Sequence, residues 1–238
     1  MPRANRFYVP GMVWHVTHRC HKGEFLLAQA QDRRRFLHWL SRAVELFDLS
    51  VLNYMVTSNH VHLIVRNTGE GTIARSMQLA AGRTAYEYNK RHGRRGAFWA
   101  DRYHATAVSV DTHLIQCLVY VDLNMVRAGA VTHPRQWSDC GFTELIAPPS
   151  VASILDRDAL RQICGSRNDV EHLKARTAWV ESALPFPSTR DPLWTESIAV
   201  GARRFVTEFR RNLGVRGRYR EVAYDSQTYA IRENTIPY

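Results

Sequence analysis

The segment that most restricts the fold is residues 52–66, in which two apolar, β-prone runs flank the short polar turn at residues 57–59. The second run begins with His60 and His62. Because strand side chains alternate between faces, both histidines project to one side of a sheet and Val61 to the other. Neutral imidazole is the commonest protein metal ligand, so the pair is either half of a metal site or two hydrogen-bonded strand histidines.

The composition is that of a folded protein. With 238 residues, 45% of them hydrophobic, the chain forms one large or two small domains. No apolar run reaches the length of a membrane-spanning helix, and residues 1–6 lack the apolar region of a secretory signal, so we expect a cytoplasmic protein with no membrane partner. The scattered cysteines, with no Cys-x-x-Cys pair, argue against a zinc ribbon or a disulfide framework.

The charge balance indicates an acidic polymer as partner. The net charge is +10 and the isoelectric point is near 9.8, which favours nucleic acid over a small neutral substrate. The loop at residues 92–104 interleaves basic and aromatic side chains, as single-stranded nucleic acid requires for phosphate contacts and base stacking. Its candidate contacts are Arg94, Arg95, Trp99, Arg102 and His104. For Trp99, a role as a plug of the core is an equal alternative.

Periodicity along residues 12–127 predicts an alternation of strands and helices. Strand-like runs occupy residues 12–17, 50–56, 61–65 and 105–110, and helical spacing occupies residues 31–48, 72–91 and 113–126. The order strand, helix, strand, strand, helix, strand, helix predicts an α+β fold, with a ferredoxin-like antiparallel sheet covered by helices.

The helix predicted over residues 113–126 carries the other candidate site residues. Tyr120 and Asn124 lie one turn apart on one face of it, in a stripe that continues to Arg127. If this helix packs on the side of the sheet to which His60 and His62 project, Tyr120 and Asn124 face the two imidazoles. Asn124 then offers a carbonyl oxygen as a third ligand.

Four motifs in this order resemble those of the REP-associated tyrosine transposases, a branch of the single-tyrosine HUH transposases. They occupy residues 8–17, 59–65, 98–104 and 120–129. The resemblance implies the HUH fold, with His60, His62 and Asn124 as ligands of Mg²⁺ or Mn²⁺ and Tyr120 as the nucleophile. The sequence departs from the motifs of this family at two places, and both concern turn geometry. Thr57-Ser58 stands where the family commonly has Met-Pro, and Met125 stands where it commonly has proline.

The activity implied by the resemblance is a metal-dependent single-strand DNA endonuclease and strand transferase. It would cleave hairpin-forming, REP-like DNA through a 5′-phosphotyrosine intermediate, as a monomer or homodimer associated with the nucleoid. No Walker-type phosphate loop is present, so we expect no nucleotide cofactor. Arg19 and Arg127 join the predicted DNA contacts. The alternative is a non-catalytic host regulator that binds DNA hairpins and keeps the transposase fold.

The C-terminal third is predicted to be a separate, mainly helical region. Pro148-Pro149-Ser150 marks the boundary, which gives a transposase domain at residues 1–147 and a basic region at residues 148–238. Helices are expected over residues 151–164 and 170–183, residues 191–213 look helix-rich, and residues 226–238 are expected to form a loosely ordered tail. The arginines of this region favour accessory DNA binding over a packing or dimerisation role.

Overall fold

A seven-stranded sheet organises the fold, with the strand order β2-β3-β1-β4-β5-β7-β6. The structure is a computed structural model that describes residues 8–149, 152–185, 191–218, 220–225 and 228–232. The strands are β1 (Val13–Arg19), β2 (Ser50–Val56), β3 (His60–Arg66), β4 (His104–Val108), β5 (Ser197–Gly201), β6 (Val222–Asp225) and β7 (Thr228–Arg232). The helices are α1 (Ala30–Phe47), α2 (Thr72–Arg91), α3 (Thr112–Asp122), α4 (Asn124–Arg127), α5 (Gly141–Ile146), α6 (Arg157–Cys164), α7 (Asp169–Ala183), α8 (Pro192–Glu196), α9 (Arg203–Asn212) and α10 (Val215–Arg218).

The first four strands form the predicted ferredoxin-like sheet. β1 lies in the middle and pairs antiparallel with β3 and β4, and β2 pairs antiparallel with β3. Helices α1 and α2 cover one face. There Trp99 contacts Phe36 of α1 and donates a hydrogen bond from Nε1 to the carbonyl of Ala81 on α2. The predicted α+β fold class is confirmed.

The C-terminal region adds three strands to the same sheet. β5 runs parallel to β4, with Ala199 beside Ala107, and β7 and β6 continue the sheet in antiparallel pairing. Two expectations are therefore wrong in part: β5 lies within the segment expected to be helix-rich, residues 191–213, and β7 lies in the tail expected to be loose. The other members of that tail, residues 226–227 and 233–238, lie outside the described residues. β5 pairs with β4, which is distant in the sequence, and β6 and β7 have only four and five residues, so local periodicity gave little sign of these strands.

Helix α3 packs on the opposite face of the sheet from α1 and α2, and α7 of the C-terminal region covers it from outside. A fully buried ion pair joins them, because Arg176 Nε of α7 lies 2.6 Å from Asp122 Oδ2 at the end of α3. Asn53 of β2 donates a hydrogen bond of 2.8 Å to the other carboxylate oxygen. The predicted domain boundary at residue 148 stays a prediction, although the sheet and this ion pair run across it.

The helix predicted over residues 113–126 is broken near its end. Leu123 has φ −82° and ψ 6°, so α3 ends at Asp122 and α4 begins at Asn124. Gly129 follows α4 with φ +67°, a left-handed conformation that commonly ends a helix. Among the described helices, none combines the length and apolar character needed to cross a bilayer.

The buried histidine of α7, His172, predicts that the protein is less stable in acid. Burial, together with nearby Arg176, lowers the pKa of His172 from 6.5 to about 4. The unfolded chain therefore binds more protons than the folded chain between these values, and stability falls as the pH falls from 6.5 to 4, by about 3 kcal/mol. Urea unfolding of wild type and His172→Asn at several pH values measures this, and the variant should show the weaker pH dependence. Equal pH dependence of the two proteins contradicts the prediction.

Candidate active site

His60 and His62 line a cleft of about 290 Å³ on the face of the sheet that α3 covers. They open β3 and lie opposite Arg19 and Thr17 of β1, with their ring centroids 4.8 Å apart. His62 is 2% exposed, whereas His60 is half-buried towards the mouth of the cleft. The cleft is lined by Thr17, His18, Arg19, His60, His62, Tyr120, Asn124, Arg127, Ala128 and Thr195.

The turn before β3 fixes the ring of His60. Thr57 Oγ1 accepts a hydrogen bond from the His60 backbone N–H at 3.0 Å and donates one to the His60 carbonyl at 2.8 Å. The Nδ1 atom of His60 lies 2.7 Å from Asn59 Oδ1. Because an amide oxygen only accepts, Nδ1 carries the proton and Nε2 carries the lone pair. Thr57, which stands where related motifs have methionine, thus helps to hold a candidate ligand.

His62 contacts both a second histidine and the predicted amide ligand. Its Nε2 lies 3.0 Å from Asn124 Nδ2, and its Nδ1 lies 2.8 Å from Nε2 of His15. Burial lowers the pKa of His62 well below its usual value and that of His15 to about 3. Both rings are therefore neutral at neutral pH, which is the state in which imidazole binds a metal.

The donor set suits a hard divalent cation. Within the described residues, no group of three or more His, Cys, Asp and Glu residues is suited to hold a metal ion, and the Asn124 amide beside His62 is the candidate for a third protein ligand. Two ligands at neighbouring corners of an octahedron with bonds of about 2.1 Å are about 3 Å apart. The separation of 3.0 Å between His62 and Asn124 matches this once the amide presents its oxygen. Such a site leaves corners for water and phosphate oxygens, as Mg²⁺ and Mn²⁺ prefer.

Tyr120 lies in the same cleft. Its ring is 6.1 Å from that of His62, and only 6% of the residue is exposed. The guanidinium carbon of Arg127 lies 4.0 Å from the centre of the ring, and Arg127 Nη2 donates a hydrogen bond of 2.7 Å to the Tyr120 carbonyl. Burial lowers the pKa of Arg127, but an arginine stays charged in proteins. The structure therefore brings His60, His62, Tyr120, Asn124 and Arg127 together, as the sequence predicted.

Residues around the site that were not among the predicted ones include His15, Trp194 and Thr195. His15 of β1 is fully buried, and its Nδ1 lies 2.9 Å from the carbonyl oxygen of Trp194. The ring of Trp194 lies 6.3 Å from that of Tyr120, and Thr195 lines the cleft. Trp194 and Thr195 belong to α8, so the C-terminal region forms one wall of the site. Alternation along β1 places His15 beside His62 only after the pairing of β1 with β3 is known.

The remaining predicted DNA contacts fall into two groups. Arg19, at the mouth of the cleft, is exposed, as are Arg95 and Arg102 on the loop that follows α2. That these three side chains contact DNA stays a prediction.

The second group takes part in the packing of the protein. Arg94 forms an ion pair of 3.1 Å with Glu24 and donates a hydrogen bond to the carbonyl of Ala97. His104 Nε2 donates a hydrogen bond to the Ser197 carbonyl at 2.8 Å, which ties β4 to β5. Trp99 is partly buried, with its ring stacked 4.1 Å from that of His18. For Trp99 the structure thus shows the core-plug alternative.

Comparison with known proteins gives a family and a fold. Residues 8–124 match the family described as "Transposase IS200 like". The solved structure of a REP-associated tyrosine transposase bound to a REP hairpin shares the fold, with a TM-score of 0.52 and 17% identity over 62% of this chain and 87% of that chain. A Deinococcus radiodurans R1 protein assigned as a transposase gives a TM-score of 0.36 at 17% identity, over 50% of this chain and 95% of the other. No curated protein sequence matches.

Proposed function

Over residues 8–124 the chain belongs to the IS200-like transposase family, and from this we propose that it cuts and rejoins single-stranded DNA with Tyr120 as the nucleophile. The observation that carries the proposal is the single cleft shared by Tyr120, the imidazoles of His60 and His62 and the Asn124 amide. A protein that only binds DNA has no need of a phenol beside this donor set. We therefore favour the enzyme over a non-catalytic hairpin-binding regulator.

The chemistry is a transfer of a phosphoryl group to a phenol. The Tyr120 oxygen attacks the scissile phosphorus, the bond from phosphorus to the 3′ oxygen breaks, and the phenolic proton is lost as the 3′ hydroxyl gains one. The products are a 5′-phosphotyrosine and a free 3′ hydroxyl, and attack by a 3′ hydroxyl on the ester reverses the step without ATP. Since an unperturbed phenol has a pKa of about 10, the charge of Arg127 against the ring assists by stabilising the phenolate.

The protein side chains hold the reacting groups in place. His60, His62 and Asn124 would hold Mg²⁺ or Mn²⁺, which would polarise the scissile phosphate and offset its developing charge. Arg127 packs against the Tyr120 ring, and the ring of Trp194 lies 6.3 Å from it. The cleft is narrow and its phenol is buried, so a flexible single strand enters it more readily than a duplex.

We propose a hairpin with a single-stranded foot as the substrate. The related solved structure is bound to a REP hairpin, and Arg19, Arg95 and Arg102 here are exposed near the cleft. The foot would enter the cleft, and the stem would lie outside it. The state of the active protein, monomer or homodimer, stays a prediction.

The proposal is tested by trapping the covalent intermediate. Wild-type protein is incubated with Mn²⁺ and a hairpin that is flanked by single strands and labelled at its 3′ end, so that the fragment joined to Tyr120 keeps the label, and the products are separated on a denaturing gel. A labelled protein band that disappears with EDTA is the expected result. Tight hairpin binding with no covalent product under any of these conditions would instead support the regulator.

The position of Arg127 predicts a large effect on rate. Arg127→Gln removes the charge beside Tyr120, so adduct formation at saturating hairpin should slow by roughly 100-fold. Arg127→Lys keeps a charge but not the planar stack, and should lose less, about 10-fold. Single-turnover rates measure both, with Arg42→Gln on the exposed face of α1 as the control. An Arg127→Gln protein that reacts at the wild-type rate contradicts the proposed role.

A second basic surface lies on α9. Its exposed arginines are Arg203, Arg204 and Arg211. The contact of Phe209 with Trp14, at a ring distance of 5.7 Å, places α9 on the face opposite the cleft. We propose that this surface binds phosphates of the DNA outside the cleft, as an accessory site.

The salt dependence of binding tests the α9 surface. For single-stranded DNA, the logarithm of affinity should fall with the logarithm of salt concentration by about 0.7 per neutralised phosphate, so replacing all three arginines with glutamine should reduce the slope by about 2. Fluorescence anisotropy at a series of NaCl concentrations measures it. An unchanged slope assigns α9 to packing or dimerisation.

A further inference from the structure

His15 is a fully buried histidine to which the chemistry above gives no role. It occupies the centre of β1, the middle strand of the ferredoxin-like sheet, opposite Ile64 of β3 and Thr106 of β4. Its ring lies edge to edge with that of His62 and nearly in the same plane, with 5.0 Å between centroids and 11° between planes. One ring nitrogen faces His62 at 2.8 Å and the other faces the Trp194 carbonyl at 2.9 Å.

The proton positions along this chain of hydrogen bonds follow from its two ends. At one end, the Trp194 carbonyl only accepts, so His15 Nδ1 carries a proton, and in a neutral ring His15 Nε2 must then accept. His62 Nδ1 therefore donates, and His62 Nε2 keeps its lone pair. At the other end, the Asn124 amide nitrogen only donates and lies 3.0 Å from the same His62 Nε2, which requires the same tautomer.

We propose that His15 is a positioning residue, which together with the Trp194 carbonyl holds His62 in the orientation and tautomer that direct its Nε2 lone pair into the cleft. Histidine ligands of metals commonly donate their second N–H to a carboxylate, a carbonyl or water. Here a second imidazole fills that position, and a backbone carbonyl fixes the second imidazole in turn. Thr106 Oγ1 also donates to the Trp194 carbonyl, at 3.2 Å, and to the Ser197 carbonyl, at 2.6 Å, which keeps α8 on this face.

One consequence concerns the C-terminal region. Trp194 and Thr195 belong to α8, so the segment at residues 192–196 is a part of the active site and not only an accessory to it. The inference rests on the proposed function in the assignment of His62 as a cation ligand.

Two substitutions of His15 each keep one of its two hydrogen bonds and remove the other. His15→Gln can place an amide oxygen near the position of Nε2 and keep the contact with His62, whereas His15→Asn can keep the bond to Trp194 and lose His62. In titration calorimetry with Mn²⁺ and no DNA, His15→Asn should bind about 10- to 100-fold more weakly than wild type and His15→Gln within roughly threefold of it. The matched control is His172→Asn, which replaces a buried histidine on α7 that does not line the cleft. This variant should bind Mn²⁺ as tightly as wild type.

Nitrogen-15 NMR of the histidine rings in the metal-free wild-type protein tests the inference without depending on the folding of any variant. The proton of His62 should lie on Nδ1. A His62 proton on Nε2, or equal Mn²⁺ affinity of the His15→Asn and His15→Gln proteins, overturns the inference. These measurements do not depend on DNA cleavage. If His15→Asn loses Mn²⁺ affinity and the wild-type protein forms no covalent DNA adduct, the positioning role is supported and the proposed reaction is refuted.

Discussion

Replacing Tyr120 with phenylalanine is expected to reduce the covalent DNA adduct to background while leaving hairpin affinity nearly unchanged. The substitution removes only the hydroxyl oxygen. The ring keeps its contacts with His15, His62 and Trp194 and its stack beneath Arg127, so the shape and charge of the cleft are preserved. Adduct formation on a denaturing gel and hairpin binding by anisotropy, measured on the same preparation, separate chemistry from binding.

The matched control is Tyr86→Phe. Tyr86 lies on α2, on the other face of the sheet, and is 61% exposed, so this variant should form the adduct at the wild-type rate. Persistence of the adduct in Tyr120→Phe would assign the reaction to another nucleophile, which peptide mapping of the labelled protein would identify. In that case the cleft would have to be reinterpreted.

Replacing Arg176 with methionine is expected to lower the free energy of unfolding by about 3 to 5 kcal/mol. Arg176 and Asp122 have no exposed side-chain surface, and the change leaves the carboxylate of Asp122 with the hydrogen bond from Asn53 as its main compensation. An uncompensated buried charge is far more costly than the loss of an ion pair on the surface. Urea unfolding followed by circular dichroism measures the difference.

Two further variants make this result interpretable. Lys174→Met changes an exposed cation on the same helix and should leave stability nearly unchanged. Adding Asp122→Asn to Arg176→Met removes the unpaired charge and keeps a polar partner for Asn53, so most of the lost stability should return. If Arg176→Met alone costs no more than Lys174→Met, the ion pair does not join α7 to α3 in the way described.

The sequence predicted those parts of the fold that depend on neighbouring residues. The hairpin of β2 and β3 needs only a short turn and alternating apolar residues, and the spacing of Tyr120 and Asn124 is a property of one helical segment. Those local patterns placed His60 with His62 on one side of a sheet and Tyr120 with Asn124 on one face of a helix. That the two pairs share a cleft depends on which face of the sheet the helix covers, and the sequence left that open.

Features that depend on distant pairing were missed. β5 is recognisable as a strand only beside β4, and His15 reaches His62 only through the register of β1 with β3. Tyr120 lies on a helix face that also carries Asn124 and Arg127 and therefore looks polar in the sequence. In the structure this face packs against the sheet, which buries Tyr120, and α7 covers another side of α3. The mixed character of that helix reflects two buried faces rather than one buried and one solvated face.

The parallel pairing of β5 with β4 has a consequence for protein synthesis. Trp194 and Thr195 lie just before β5 and are synthesised after every other residue that lines the cleft. A nascent chain therefore contains Tyr120 and both cleft histidines before it contains the wall of the cleft. A polypeptide released early by a nonsense codon would lack that wall. If Tyr120 acts as proposed, such a polypeptide carries the nucleophile in an incomplete cleft.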